Sequence, residues 1–259
     1  MTELLIPVVS TFAAAFAGAY GAQWLAESKR KFDSSLGEFR STNSSIHISF
    51  QICNTLLSIK EQHTQKIKSQ LDRCRAIASS QRNDPKVATG NSPINLEIEF
   101  HQFGMPAIST NRLSEILFNN ISTNRGISIA FMQLELCVLE LKRLFEERNA
   151  WITKHRDRPQ RDDEFSATRY LGIPDRHGDI DQTYPMLVEA INDCNDSAIF
   201  FAKKLADLLV CHAKYLRSQY GDQFPKLQSI SWAEAEEKNL LPDENGFEKW
   251  SKILCHTRT

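Results

Sequence analysis

FDSSLGEFRSTNSSIHISFQICNTLLSIKEQHTQKIKSQLDRCRAIA, residues 32–78, sets the architecture. Stepping through it four and then three residues at a time meets Phe32, Leu36, Phe39, Asn43, Ile46, Phe50, Cys53, Leu57, Lys60, Thr64, Ile67, Leu71, Cys74 and Ala78. Eleven of those fourteen positions are apolar against 41% of the whole chain, so the apolar residues gather in one seam. A seam at this spacing belongs to a helix that packs lengthwise on other helices. Its weak point is the polar run from Ser41 to Ser45. Such side chains compete for the backbone's hydrogen bonds, so we expect a kink or hinge there.

Upstream, the same phase continues to Leu25, Ala22, Gly18 and Ala15, inside an uncharged stretch over residues 4–26. As a helix these 23 residues would reach roughly 35 Å at 1.5 Å per residue. That exceeds a hydrocarbon layer of about 30 Å, so the stretch reads as a single transmembrane helix. Lys29, Arg30 and Lys31 follow it, while Glu3 is the one charged side chain before it. A cleaved signal peptide wants its basic residues in front. The positive flank also orients the chain, with the N-terminus outside and everything after Glu27 cytoplasmic. A bacterial inner membrane is the setting we expect. Within the stretch, Ala14, Gly18 and Ala22, with Ala17 and Gly21 beside them, have the small-x-x-x-small spacing that lets two membrane helices approach closely. The alternative is an exported helical protein whose leader is removed after the small residues Ala17, Gly18 and Ala19.

Downstream, residues 79–93 are rich in turn formers and read as a loop. Ile94, Leu96, Ile98 and Phe100 then alternate with polar residues, which predicts a strand over 94–100. A shorter helix around 112–121 is followed by a long one carrying Phe131, Leu134, Val138, Leu141, Phe145, Arg148 and Ile152 on one stripe. A third long helix carries Tyr184, Leu187, Ile191, Cys194, Ala198, Phe201, Leu205, Leu208, His212 and Tyr215, and Gly221 stops it. Packing an apolar stripe supplies most of a helix's stability, so these helices must fold back on one another. The expected class is all-α: a transmembrane helix over 1–26 continues into an elongated antiparallel three- or four-helix bundle over 27–221. Loop and short helices over 222–259 complete it.

Charge and cysteine usage narrow the chemistry. Net charge is −1, with eleven Lys or Arg against six acids over 27–90 and twenty against twenty-five beyond. The basic excess beside the apolar stretch suits anionic lipid headgroups and is too diffuse for nucleic acid. Six cysteines lie far apart with no Cys-x-x-Cys pair, which fits reduced thiols on apolar helix faces better than a zinc site or a disulfide framework. Asp157, Asp162, Asp163, Glu164, Asp175, Asp179 and Asp181 lack the spacing of a calcium loop. There is no Gly-rich phosphate loop, no His-Glu-x-x-His and no Gly-x-Ser-x-Gly. No cofactor or metal is expected. The partners we expect are a lipid bilayer and either a second copy or another protein.

One short motif points elsewhere. Arg148, Asn149 and His155, at the end of a helix, resemble the Arg-x-x-x-x-x-x-His motif of the HEPN ribonuclease superfamily. That resemblance covers eight residues and implies an all-helical protein, commonly dimeric, whose Arg and His act on RNA phosphodiesters. Arg40 and His47 repeat the spacing. Arg148 also sits on the seam of its own helix, where a long side chain can lay its stem along the core.

Overall fold

The computed structural model describes residues 2–82, 101–156, 168–174 and 178–255, with side chains for 18–80, 101–155, 168–174 and 178–254. Helix α1 runs over Thr2–Ile59, a π-helical turn follows over Lys60–Thr64, and α2 continues over Gln65–Arg82. Then come α3 (Asn111–Asn120), α4 (Arg125–Arg156) and α5 (Thr183–Tyr220). Short pieces close the chain: α6 (Ala233–Glu237), a 3-10 turn over Glu244–Phe247 and α7 (Glu248–Cys255). The all-α bundle expected from the periodicity is what the described residues form. The strand predicted over 94–100 lies outside them, as do the acids of 157–164 and Asp175.

α5 stands in the middle, against α1 on one side and α4 on the other, and α3 packs on α1. Contacts fix the directions. Ser35 meets Tyr220, Glu38 meets His212, Lys60 meets Asp196 and Arg75 meets Glu189, so α1 and α2 run antiparallel to α5. Arg148 meets Tyr184 and Cys194 meets Cys137, so α4 runs antiparallel to α5 as well. The C-terminal residues are no separate unit. Phe224, Ala235, Leu240 and Leu254 join the same buried cluster as Phe39, Leu56, Phe131 and Leu205.

Two expectations change on the structure. Helix α1 passes without interruption through Ser41 to Ser45. Thr42 satisfies its hydroxyl by donating to the Glu38 carbonyl at 2.8 Å. Thr42 and Ser45 are fully buried, so no water competes for the backbone there. The irregularity comes instead at Lys60–Thr64, where two polar seam residues are buried. Lys60 reaches Asp196 at 2.6 Å, and Asn195 donates to the Leu56 carbonyl at 3.4 Å. A π-turn inserts about one residue's rotation, roughly 100°, and the rotation separates two cores. Upstream residues pack in the main cluster, whereas Leu71, Cys74 and Ala78 pack with Trp151, Tyr170, Tyr184 and Val188.

The second change concerns the N-terminal stretch. Among the described residues no helix is long and apolar enough to cross a membrane. Of the apolar stretch 4–26, only 18–26 carry described side chains, too short a piece to span. The described part of the chain therefore yields no transmembrane span where the sequence led us to expect one, and residues 4–17 fall outside the described side chains. The backbone of α1 is helical throughout the stretch. Every residue from 18 to 31 is exposed, with Tyr20 at 74%, Trp24 at 64% and Leu25 at 65%. This part of α1 leaves the bundle uncovered.

Candidate functional site

A grouping of polar and aromatic side chains surrounds Arg148, where α4 meets α5 and residues 101–103. Arg148 is only 1% exposed. Its Nη1 donates to the His101 carbonyl at 2.9 Å and its Nη2 to the Tyr184 hydroxyl at 3.2 Å. The guanidinium lies 5.7 Å from the centre of the Tyr184 ring, and Nε is buried with no hydrogen-bond partner among the described residues. Next to it, Asn149 accepts from the Phe103 amide at 3.1 Å and donates to the Phe103 carbonyl at 2.7 Å. A single side-chain amide thus satisfies both backbone groups of Phe103. Arg148 and Asn149 together clamp residues 101–103 onto α4.

Aromatic rings close the site. Trp151 and Tyr170 lie 4.5 Å and 4.7 Å from Tyr184, centre to centre, and His155 stacks on Trp151 at 4.1 Å. Burial pushes both tyrosine hydroxyls above their usual range, with the Arg148 charge opposing the shift. The rim is held by Arg75, whose Nε donates to the Leu171 carbonyl at 2.8 Å. Gly172 follows at φ +64°, where a Cβ would stand 2.6 Å from Gln182 Oε1 and 2.9 Å from Pro185, so glycine is required for this close return. Asp181 accepts from the Thr183 amide at 3.0 Å at the start of α5, and a hydrogen bond from the Thr183 side chain, seconded by that amide, holds its carboxyl below the usual range.

The Arg148, Asn149 and His155 set shares one helix. Arg148 and Asn149 are turned to the clamp. His155 Nδ1 is within 2.8 Å of the Trp151 carbonyl, and seven residues of helix, roughly 10 Å, separate it from Arg148. Among the described residues no group of three His, Cys, Asp or Glu could hold a metal.

Two ties between elements were not visible in the sequence. Glu38 accepts from the Ser122 amide at 2.9 Å and pairs with His212 Nε2 at 2.9 Å, so one carboxylate joins α1, the α3–α4 loop and α5. The other is the Lys60–Asp196 pair, whose only trace is a lysine interrupting an apolar seam. Of the membrane candidates, Gly18, Gly21 and Ala22 are exposed, and a Cβ at either glycine meets nothing within 4 Å. The side chains of Ala14 and Ala17 lie outside the described residues. Lys29, Arg30 and Lys31 are exposed, and Lys31 reaches Glu27 at 3.6 Å, a surface pair worth little.

His63, in the π-turn, lies against Phe103 with the rings tilted by 39° and their centres 3.8 Å apart. Burial, then the charges of Lys66 and Arg148, hold its ring below the ordinary value of 6.5. The unfolded chain takes up that proton more readily, so the stability contributed is whole above pH 6.5 and is lost as pH falls through the depressed folded value. His63→Phe keeps a ring against Phe103. We expect it to flatten the fall of the thermal midpoint on acidification below 6.5. Parallel curves for variant and parent would remove His63 from the acid response.

Compared with known proteins, the chain matches no family model, no curated protein and no solved structure.

Proposed function

We propose that this chain is a single-pass, membrane-tethered interaction protein: residues 4–26 anchor it, and the helical bundle is presented on the cytoplasmic side to a second copy or a protein partner. The observation that carries the reading is the uncovered length of α1 over residues 18–31, with Tyr20, Trp24 and Leu25 outside the core and Lys29, Arg30 and Lys31 next in line. Aromatic residues followed by a basic cluster mark the cytoplasmic boundary of a membrane helix. The ribonuclease alternative would need RNA to reach the Arg148 guanidinium, which is buried here.

The test is extraction of membranes with alkaline carbonate from cells producing the full chain or a variant lacking residues 2–26. We expect the full chain in the pellet and the shortened one in the supernatant, still folded and with its helical signal lowered only by the helix removed, since every residue from 18 to 31 is exposed. A full chain released by carbonate overturns the anchor. Intact mass decides the exported alternative, because a mature chain starting near Gln23 would mean the leader had been cut. A Cβ added at Gly18 meets nothing within 4 Å, so with Gly18→Leu a loss of cross-linked oligomer in membranes reads self-association; unchanged oligomer size would exclude this face.

A further inference from the structure

Helices α4 and α5 bring together two thiols that lie 57 residues apart. Cys194 donates to the Cys137 carbonyl oxygen at 3.2 Å, and its S–H also serves the Cys137 sulfur as a hydrogen-bond partner. Both side chains are half-buried, open to a small oxidant yet held by their helices. Cys53 contrasts with them. It is fully buried, it approaches the Ile199 carbonyl at 3.9 Å, and burial pushes its thiol up to about 12. We propose that Cys137 and Cys194 form a reversible, peroxide-driven disulfide that covalently locks α4 to α5. The inference rests on these two helices alone and stands independently of the membrane reading.

The environment assigns the order of events. The hydrogen bond from Cys194 favours the charged form of Cys137 and holds that thiol below the usual cysteine range. The same bond, followed by burial, pushes Cys194 up; Glu140 adds to that push and Arg143 opposes it. The thiolate is the nucleophile, so Cys137 attacks a hydroperoxide oxygen. The O–O bond breaks, hydroxide or alkoxide leaves, and Cys137 becomes a sulfenic acid. Cys194 then attacks the Cys137 sulfur, the S–O bond breaks, and the hydroxide leaves as water with the Cys194 proton. With hydrogen peroxide, two thiols lose two electrons in total and the peroxide becomes two waters. Bond formation brings the two sulfurs to about 2.05 Å.

The experiment is exposure of the reduced, folded full chain to hydrogen peroxide, denaturation in N-ethylmaleimide, and peptide mass mapping without reductant. We expect one cross-linked peptide joining Cys137 and Cys194, with both thiols lost to alkylation and recovered after dithiothreitol. C194S should leave Cys137 as a sulfenic acid trapped by dimedone, whereas C211S should leave the cross-link intact. If the parent chain keeps both thiols alkylatable while Cys211 oxidises, the proposal is wrong. It is equally wrong if Cys137 stops at the sulfenic acid with Cys194 present. Because the parent chain carries the decisive measurement, a poorly folding variant does not rescue the idea.

Discussion

Truncating Phe200 to alanine is expected to lower the free energy of unfolding by about 4 kcal/mol and to release the C-terminal residues to protease. Phe200 is fully buried on α5; it stacks on Phe247 at 4.2 Å with the rings 12° from parallel, and meets Phe201 edge-on at 5.2 Å. Phe201 in turn holds Trp250 at 5.2 Å. These rings fasten the 3-10 turn and α7 to the middle helix, so the cavity opens where the tail is attached. Lys203 and Lys204 also reach Glu244, at 3.8 and 3.3 Å, but that carboxylate is largely exposed and cannot replace the rings. Chemical denaturation gives the global loss. Limited proteolysis in native buffer gives the local one, and a tail that stays resistant would mean that it is held by its other contacts, Trp232 against Phe50 and Lys238 against Glu61.

Arg148→Ala is expected to cost about 3 kcal/mol, and Arg148→Met to recover most of it. Alanine empties the volume of one of the largest buried side chains in the molecule, at a cost like that of other large-to-small core changes. Methionine refills the space left by the stem. It still removes the donors to His101 and Tyr184, at about 1 kcal/mol or more each. Against that loss stands the release of a charge buried without a carboxylate among the described residues, a term of opposite sign and similar size. If methionine proves as damaging as alanine, the two hydrogen bonds rather than packing secure the clamp. The pair also separates structure from chemistry: a ribonuclease that needed this guanidinium would lose activity in the methionine variant while keeping its fold.

The periodicity made the helices legible but not their final register. On α5, Tyr184, Ile191, Ala198, Phe201 and Leu205 are buried as the four-three stepping predicts, yet Tyr215 is exposed and Leu216 is buried in its place. A 3.5-residue seam drifts by about 20° per heptad on a straight α-helix, and by the end of α5 the buried face has moved one residue on. Small polar residues defeated the apolar pattern in another way. Ser45 and Ser49 are fully buried with hydroxyls that have no hydrogen-bond partner among the described residues, and a reading that equates burial with apolarity passes over them. Arg148 was visible as a seam residue, although its neighbours were not. The contacts that define its surroundings, like that between Cys137 and Cys194, join positions tens of residues apart and depend on how two helices are set against each other.

The antiparallel setting of α1 and α2 against α5 also determines how the molecule carries a mechanical load. A pull along the axis of α1 from its N-terminal end would meet Glu38–His212, Asn195–Leu56, Lys60–Asp196 and Arg75–Glu189 side by side along α5. These ties resist together, in shear, instead of opening one after another as in a peeled zipper. Tension applied in that direction is shared over the length of the bundle before any single turn of helix gives way.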